Sequence, residues 1–160
     1  MPSKFTSKTP WREKLERHEA KVVDIPPRMQ VRLGIGRMVI PKPLDVDSLI
    51  RQVPKGKLIT GPVLCQELAR RSNVDVACPI TSGIFVRICS EASEEERRAG
   101  KKTVTPYWRV LNSEGALNPK FPGGIAAQKR KLTAEGHTIV AGRGKKPPVV
   151  TEFKKSLFRF

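Results

Sequence analysis

Three cysteines, two histidines and one pair of adjacent aromatic rings are the side chains of this 160-residue chain with the most chemistry to offer. Cys65, Cys78 and Cys89 contain no Cys-x-x-Cys spacing, and His18 and His137 lie far from them in sequence. That pattern argues against both a zinc site and a thiol activated by an imidazole base. Cys65 and Cys89 fall on apolar helix faces, where a free cysteine behaves as a small core residue. Cys78 precedes Pro79, a helix opener, which puts its thiol near a positive helix end but without a neighbouring base. What remains is Tyr107-Trp108, followed by Arg109. Two such rings in a row either stack on a base or fill a core.

The charge narrows the partner. Lys and Arg number 31 against 15 Asp and Glu, a net charge of +16, and the excess is uneven. Up to Glu96 there are 16 basic and 12 acidic residues, and from Arg97 onward 15 basic and 3 acidic. A polyanion is the simplest physical partner, because each neutralised phosphate releases counterions. Nucleic acid is therefore expected, duplex DNA first and RNA as the alternative. Gly34-Ile35-Gly36 lacks the third glycine and following helix of a dinucleotide loop, so neither cofactor nor metal is expected. No apolar run approaches the roughly 20 residues of a membrane helix. The first residues lack a signal peptide's apolar segment, and Glu13, Glu16 and Glu19 argue against a transit peptide. A soluble, cytoplasmic monomer associated with nucleic acid is the expectation, without membrane attachment.

The segment Pro106-Tyr107-Trp108-Arg109-Val110 resembles the Pro-Cys-His-Arg-Val active-site segment of the O6-alkylguanine-DNA alkyltransferases, with Tyr107 in the cysteine slot and Trp108 in the histidine slot. Upstream, residues 53–60, Val-Pro-Lys-Gly-Lys-Leu-Ile-Thr, resemble the family's Pro-x-Gly-x-Val-x-Ser/Thr strand and align without a gap into Leu64, Cys65 and Leu68. Downstream, Gly123-Gly124-Ile125, Gln128, Leu132 and Glu135-Gly136 resemble its Gly-Gly-Leu, helix and Glu-Gly ending. The resemblance implies a mainly α fold with short strands. It would be a winged helix-turn-helix domain over residues 45–137, with an N-terminal extension, 1–44, and a basic C-terminal hairpin and tail, 138–160. Because a phenol with a pKa of about 10 is a far weaker nucleophile than a thiolate, it also implies a non-enzymatic protein. Such a protein would be similar to the alkyltransferase-like DNA damage sensors, binding DNA, alkylated DNA included, and working with repair factors. The alternative is a repurposed scaffold that binds RNA or a ribonucleoprotein such as the ribosome.

The departures from that pattern matter as much. The tyrosine that rotates the target nucleotide in the family falls on Gly61, and the arginine finger falls on Ile80. An apolar Ile80 can wedge into a base step but cannot supply the arginine's hydrogen bonds. Trp108 can donate to Glu135 but cannot shuttle a proton. Tyr107, Trp108 and Glu135 are the lesion-pocket candidates, with core filling as the competing role for the two aromatics. By the resemblance Pro106, Asn112, Gly123 and Gly124 belong to the structural part of the motif, together with Arg109, which is also a nucleic-acid contact candidate.

These residues need elements to hold them. Thr9-Pro10 reads as a cap and first position of a short surface helix over residues 11–20, broken by Pro26-Pro27, and 31–40 reads as an irregular strand or loop. Asp45 or Asp47 is expected to cap a helix with Leu49, Ile50 and Val53 inward. Leu58-Ile59-Thr60 is a short strand, and Pro62 opens a helix that carries Val63, Leu64 and Leu68 and ends at Arg70-Arg71. Those two arginines suit either a helix end or a phosphate. Pro79 opens the candidate recognition helix, with Ile84, Phe85, Ile88 and Cys89 on its apolar face and Ile80, Thr81, Ser82 and Arg87 as contacts. Glu94-Glu95-Glu96 then reads as a solvated helix end. Lys101-Lys102, with no acid nearby, is a phosphate candidate. A last helix with Ile125, Gln128 and Leu132 inward projects Lys129 and Arg130. A hairpin joins 138–140 to 149–153, and the terminal Phe153, Leu157, Phe158 and Phe160 either dock on the core or stack on bases.

Overall fold

The framework is a helix pair set at the two ends of a short turn. Thr60 ends strand β3 (Ile59–Thr60) and caps helix α4 (Gly61–Arg71), its Oγ1 accepting from the Val63 amide at 3.4 Å. Pro62 sits in the first turn, where its missing N–H leaves no carbonyl unserved. Leu64 and Leu68 point inward as the spacing predicts. After a turn through Asn73, held at φ 52°, strand β4 (Val76–Ala77) leads into helix α5 (Pro79–Arg98). The computed structural model describes residues 7–160.

Helix α5 is 20 residues long and continues through the glutamates that read as a solvated end. Its buried stripe is Ser82, Phe85, Val86, Cys89, Ser93 and Glu96, steps of three and four along the chain. The predicted face therefore shifts by about one position: Phe85 and Cys89 are buried, Ile84 is 54% exposed, and Ser82 takes an inward place. Glu94 and Glu96 are buried because cations, most of them distant in sequence, reach them. Arg12 lies 2.6 Å and Arg51 3.5 Å from Glu96, while Arg97 and Lys131 meet Glu94. Buried carboxylates persist only when paired in this way.

The segment before residue 44 is woven into the same body. Helix α1 (Trp11–Glu16) is shorter than expected and is capped not by Thr9 but by Glu95, whose carboxylate accepts from the Trp11 and Arg12 amides at 3.0 and 3.3 Å. Its Leu15 is 1% exposed, so the helix is anchored in the core rather than lying on the surface. Strand β1 (Lys21–Asp24) was not legible in the sequence. It pairs antiparallel with β2 (Arg37–Ile40), which in turn runs parallel to β4. A short helix, α2 (Gln30–Leu33), interrupts the stretch 31–40.

Helix α3 (Pro43–Arg51) buries Val46, Leu49 and Ile50. Its N-cap is Lys42, without a side-chain cap; Asp45 stands in the first turn and Asp47 accepts from Thr105 Oγ1 at 2.6 Å and Arg51 Nε at 2.8 Å. Neither aspartate caps the helix, because Pro43 already occupies its first turn. Strand β5 (Val110–Leu111) lies parallel to β3, and helix α6 (Gly124–Ala134) covers β5 with Gln128 and Leu132 inward. Strands β6 (Ile139–Val140) and β7 (Val149–Val150) form the expected hairpin. Phe158 and Phe160 pack against the main core, so the tail docks, fixed by Leu58 and Phe158 backbone bonds of 2.9 and 2.8 Å. Each fully buried leucine or isoleucine in this core contributes about 1.5–3 kcal/mol. Among the described residues no helix is long and apolar enough to cross a membrane.

Candidate nucleic-acid interface

Residues Tyr107–Arg109 form one 3-10 turn after Pro106. Tyr107 is 1% exposed, wedged edge-on between Trp108 and Phe121, and its hydroxyl donates to Glu94 Oε1 at 2.7 Å. Burial, and then the Glu94 carboxylate, push the phenol's pKa well above its ordinary value. That is the reverse of nucleophile activation. Burial alone would raise Glu94, but hydrogen bonds from Arg97 and Tyr107 and the charge of Lys131 outweigh it and hold the carboxyl below its usual range.

Trp108 donates from Nε1 to Glu135 at 3.0 Å, with Lys131 and Arg109 over its ring at 4.8 and 5.5 Å. Arg109 closes the clamp: Nε and Nη2 donate to Glu135, Nη2 at 2.6 Å, while Nη1 donates to the Val53 carbonyl at 2.6 Å. Glu135 thus ties α6 to the turn before β3, and its carboxyl, raised by burial but lowered more by Arg109 and Trp108, stays below its ordinary pKa. The three lesion-pocket candidates lie together, as a closed structural knot rather than an open pocket.

The open space lies next to that knot. A cleft of about 570 Å³ runs between the N-terminal half of α5, β5 and the loop 116–121, floored by Gly61, Gly83, Val86, Val110, Leu117 and Phe121. A second, of about 500 Å³, lies on the other side of Gly83, between α4, α5 and Arg32-Leu33. Gly61 and Gly83 border both, and a Cβ at either would meet nothing within 4 Å. Ile80 and Ile84 stand beside the first cleft, 62% and 54% exposed, and Arg87 lines it. Thr81 is turned to Cys78, donating to Sγ at 3.3 Å, and Ser82 is buried, so neither hydroxyl faces outward.

The loop beside the cleft is built by side chains the sequence singled out and by one it undervalued. Asn112 Oδ1 accepts from the Glu114 and Ala116 amides at 2.9 and 2.8 Å, so it shapes its own turn. Gly115 needs its φ of +81°, and a Cβ there would fall on the Phe153 ring. Gly123 and Gly124, at φ +77° and +68°, turn the chain into α6. Gln128, read only as an inward position, links three segments: Nε2 donates to the Trp108 and Val110 carbonyls at 3.1 and 3.3 Å, and Oε1 accepts from the Asn118 amide at 2.8 Å. An amide at an inward helical position was the available signal.

The cationic candidates divide. Arg70 and Arg71 both hold Glu67, at 2.6 and 2.7 Å, and Arg70 and Arg71 together depress its pKa to about 2 against the cost of burial. Lys101 has an acidic neighbour after all, Glu96 at 3.6 Å. Arg109 is inside. Among the described residues Lys102, Lys129 and Arg130 have no ion-pair partner. Arg130 lines a basic cleft of about 550 Å³ with Arg97, Arg98 and Lys131. Among the described residues no group of His, Cys, Asp and Glu is placed to hold a metal ion, and burial pushes the Cys65 and Cys89 thiols up.

This arrangement, a helix pair joined by a short strand with a clefted second helix, is a helix-turn-helix scaffold. It is similar in fold to the crystal structure of S. pombe Atl1 in complex with damaged DNA containing O6-carboxymethylguanine, with a TM-score of 0.50 and 19% identity over 73% of this chain and 94% of that one. It is likewise similar to S. pombe ATL in complex with DNA, at a TM-score of 0.51 and 18% identity over the same shares. At these identities the likeness is one of fold. No family model matches the chain, and no curated protein matches it in sequence.

Proposed function

We propose that this protein binds duplex DNA through the exposed face of α5 and accepts an extruded base, an O6-alkylguanine in particular, in the cleft beside it, without transferring the alkyl group. The observation that carries this reading is the cleft of about 570 Å³ that opens directly beside Ile80, Gly83 and Ile84 of α5, the helix that the resemblance takes as the recognition helix. An extruded base needs a snug pocket next to the element that enters the groove, and apolar side chains at that element can part a base step. The fold shared with a protein that binds damaged DNA supports it, as does the charge of +16. Absence of transfer is supported by Tyr107, buried, protonated and bound to Glu94 where the resemblance puts the accepting cysteine. In this reading Tyr107 and Trp108 hold the scaffold, and the lesion is received by Val110, Leu117 and Phe121.

A salt titration of binding to matched duplexes with and without one O6-methylguanine, with structured RNA as competitor, tests it. A preference of tenfold or more for the lesion, about 1.4 kcal/mol, is expected, with no labelled alkyl group recovered on the protein. Equal affinity for both duplexes, with RNA preferred, would instead favour a repurposed RNA-binding scaffold.

A further inference from the structure

We infer that the loop joining β1 to β2, residues 25–36, is a second contact with duplex nucleic acid, placing Arg28 and Arg32 on phosphates and Val31 and Ile35 against the groove. This rests on the nucleic-acid reading above and extends it to a part of the chain outside the resembling segment. Val31 is 97% and Ile35 87% exposed, more than any other large apolar side chain among the described residues. Isolated exposed apolar residues are ordinary, but these two are held out by a hydrogen-bonded base. The Ile25 amide donates to Gly36 O at 2.9 Å, Gln30 Nε2 donates to Ile25 O at 3.1 Å, and the Gly34 amide donates to Gln30 O at 2.8 Å. Met29 and Leu33 turn inward onto Ile25, Met38 and Cys78, which leaves the alternate positions Val31 and Ile35 outward.

The loop is also fixed to the helix pair. The Arg37 amide donates to Asp75 Oδ2 at 2.8 Å, and Gly36, at φ +151°, lies so close that a Cβ would fall on the same carboxylate. Arg32 and Leu33 line the cleft that Pro79 and Gly83 of α5 also line, so the loop tip and the exposed end of α5 share one surface. Charge selects the occupant. Arg28, Arg32 and Arg37 are exposed and have no ion-pair partner among the described residues, and the one acid on the two strands and their loop is Asp24. Cations around apolar tips suit a polyanion whose groove has apolar walls.

Full-length wild type, R28Q/R32Q and V31S/I35S are to be titrated with one unmodified duplex over a range of salt, with melting curves to confirm folding. R28Q/R32Q is expected to bind about tenfold more weakly near 0.1 M salt and to lower the salt slope by about two. V31S/I35S is expected to lose roughly fivefold in affinity with the slope kept. Wild-type affinity in both variants would overturn the inference while leaving the function proposed above intact; absence of duplex binding by wild type would remove both. Unchanged duplex affinity with loss of wild-type binding to phosphatidylserine vesicles would overturn it in favour of a membrane surface.

Discussion

Tyr107 is a buried part of the scaffold. Its hydroxyl satisfies Glu94, a buried carboxylate that also holds Arg97 and Lys131. Tyr107→Phe should therefore cost about 1–2 kcal/mol of stability, the range for a hydrogen bond to a charged partner that keeps other donors, while leaving lesion preference unchanged. Thermal melts beside binding curves check both halves; loss of lesion preference at full stability would return Tyr107 to the pocket. Glu67 offers a second test at this scale. Its folded pKa, about 2, lies below its ordinary 4.5, so its contribution is present above about 4.5 and is lost as pH falls toward 2. Glu67→Gln should remove that acid-dependent loss and cost on the order of 1 kcal/mol at neutral pH, since its arginine partners are largely exposed. Denaturation measured from pH 7 to 2 in both proteins decides it.

Helix α5 carries two roles along one length, a bare apolar end toward the cleft and a buried acidic end toward α1 and α3. Gly83 belongs to the first. A methyl there meets nothing within 4 Å, so Gly83→Ala should stabilise the helix by about 0.5–1 kcal/mol. If the α5 backbone closely approaches DNA, the same substitution should weaken duplex binding several-fold; a stabilised variant with undiminished binding would place the contact elsewhere. The elements best read from sequence were those specified locally. Thr60 and Pro62 start α4, Gln128 and Leu132 face inward on α6, and the hairpin at 139–150 follows its turn residues. The misread ones depend on distant partners. Glu94 and Glu96 look like surface charges until Arg12, Arg51 and Lys131 are brought to them. Glu95, not Thr9, caps α1 across 84 positions of sequence, and strand β1 exists because β2 lies beside it.

At the scale of the molecule, cations reach solvent on several sides. The cleft beside α5 is bordered by Lys120, the loop before β2 carries Arg28 and Arg32, and Arg98 and Arg130 lie at the far end of α5. Affinity for any duplex should consequently fall steeply with salt, while a lesion preference set in the proposed apolar cleft should not. A preference that vanishes with salt in parallel with affinity would point to phosphate contacts as its source. The positions of Gly61 and Ile80 were legible as departures from the resembling family, but their consequence was not. Only the fold shows that Gly61 leaves both clefts open, and that Tyr107 has turned away from them.

Gly61 also allows the cleft to be closed without disturbing the core, because a side chain there enters open space. The decisive measurement is equilibrium binding of wild type and Gly61→Phe to two duplexes that differ by one O6-methylguanine. The expected result is a lesion preference of about tenfold or more in wild type, 1.4 kcal/mol, abolished in Gly61→Phe while its melting temperature and its affinity for the unmodified duplex persist. Equal wild-type affinity for the two duplexes, or a preference that survives in Gly61→Phe, would contradict a base-receiving cleft beside α5.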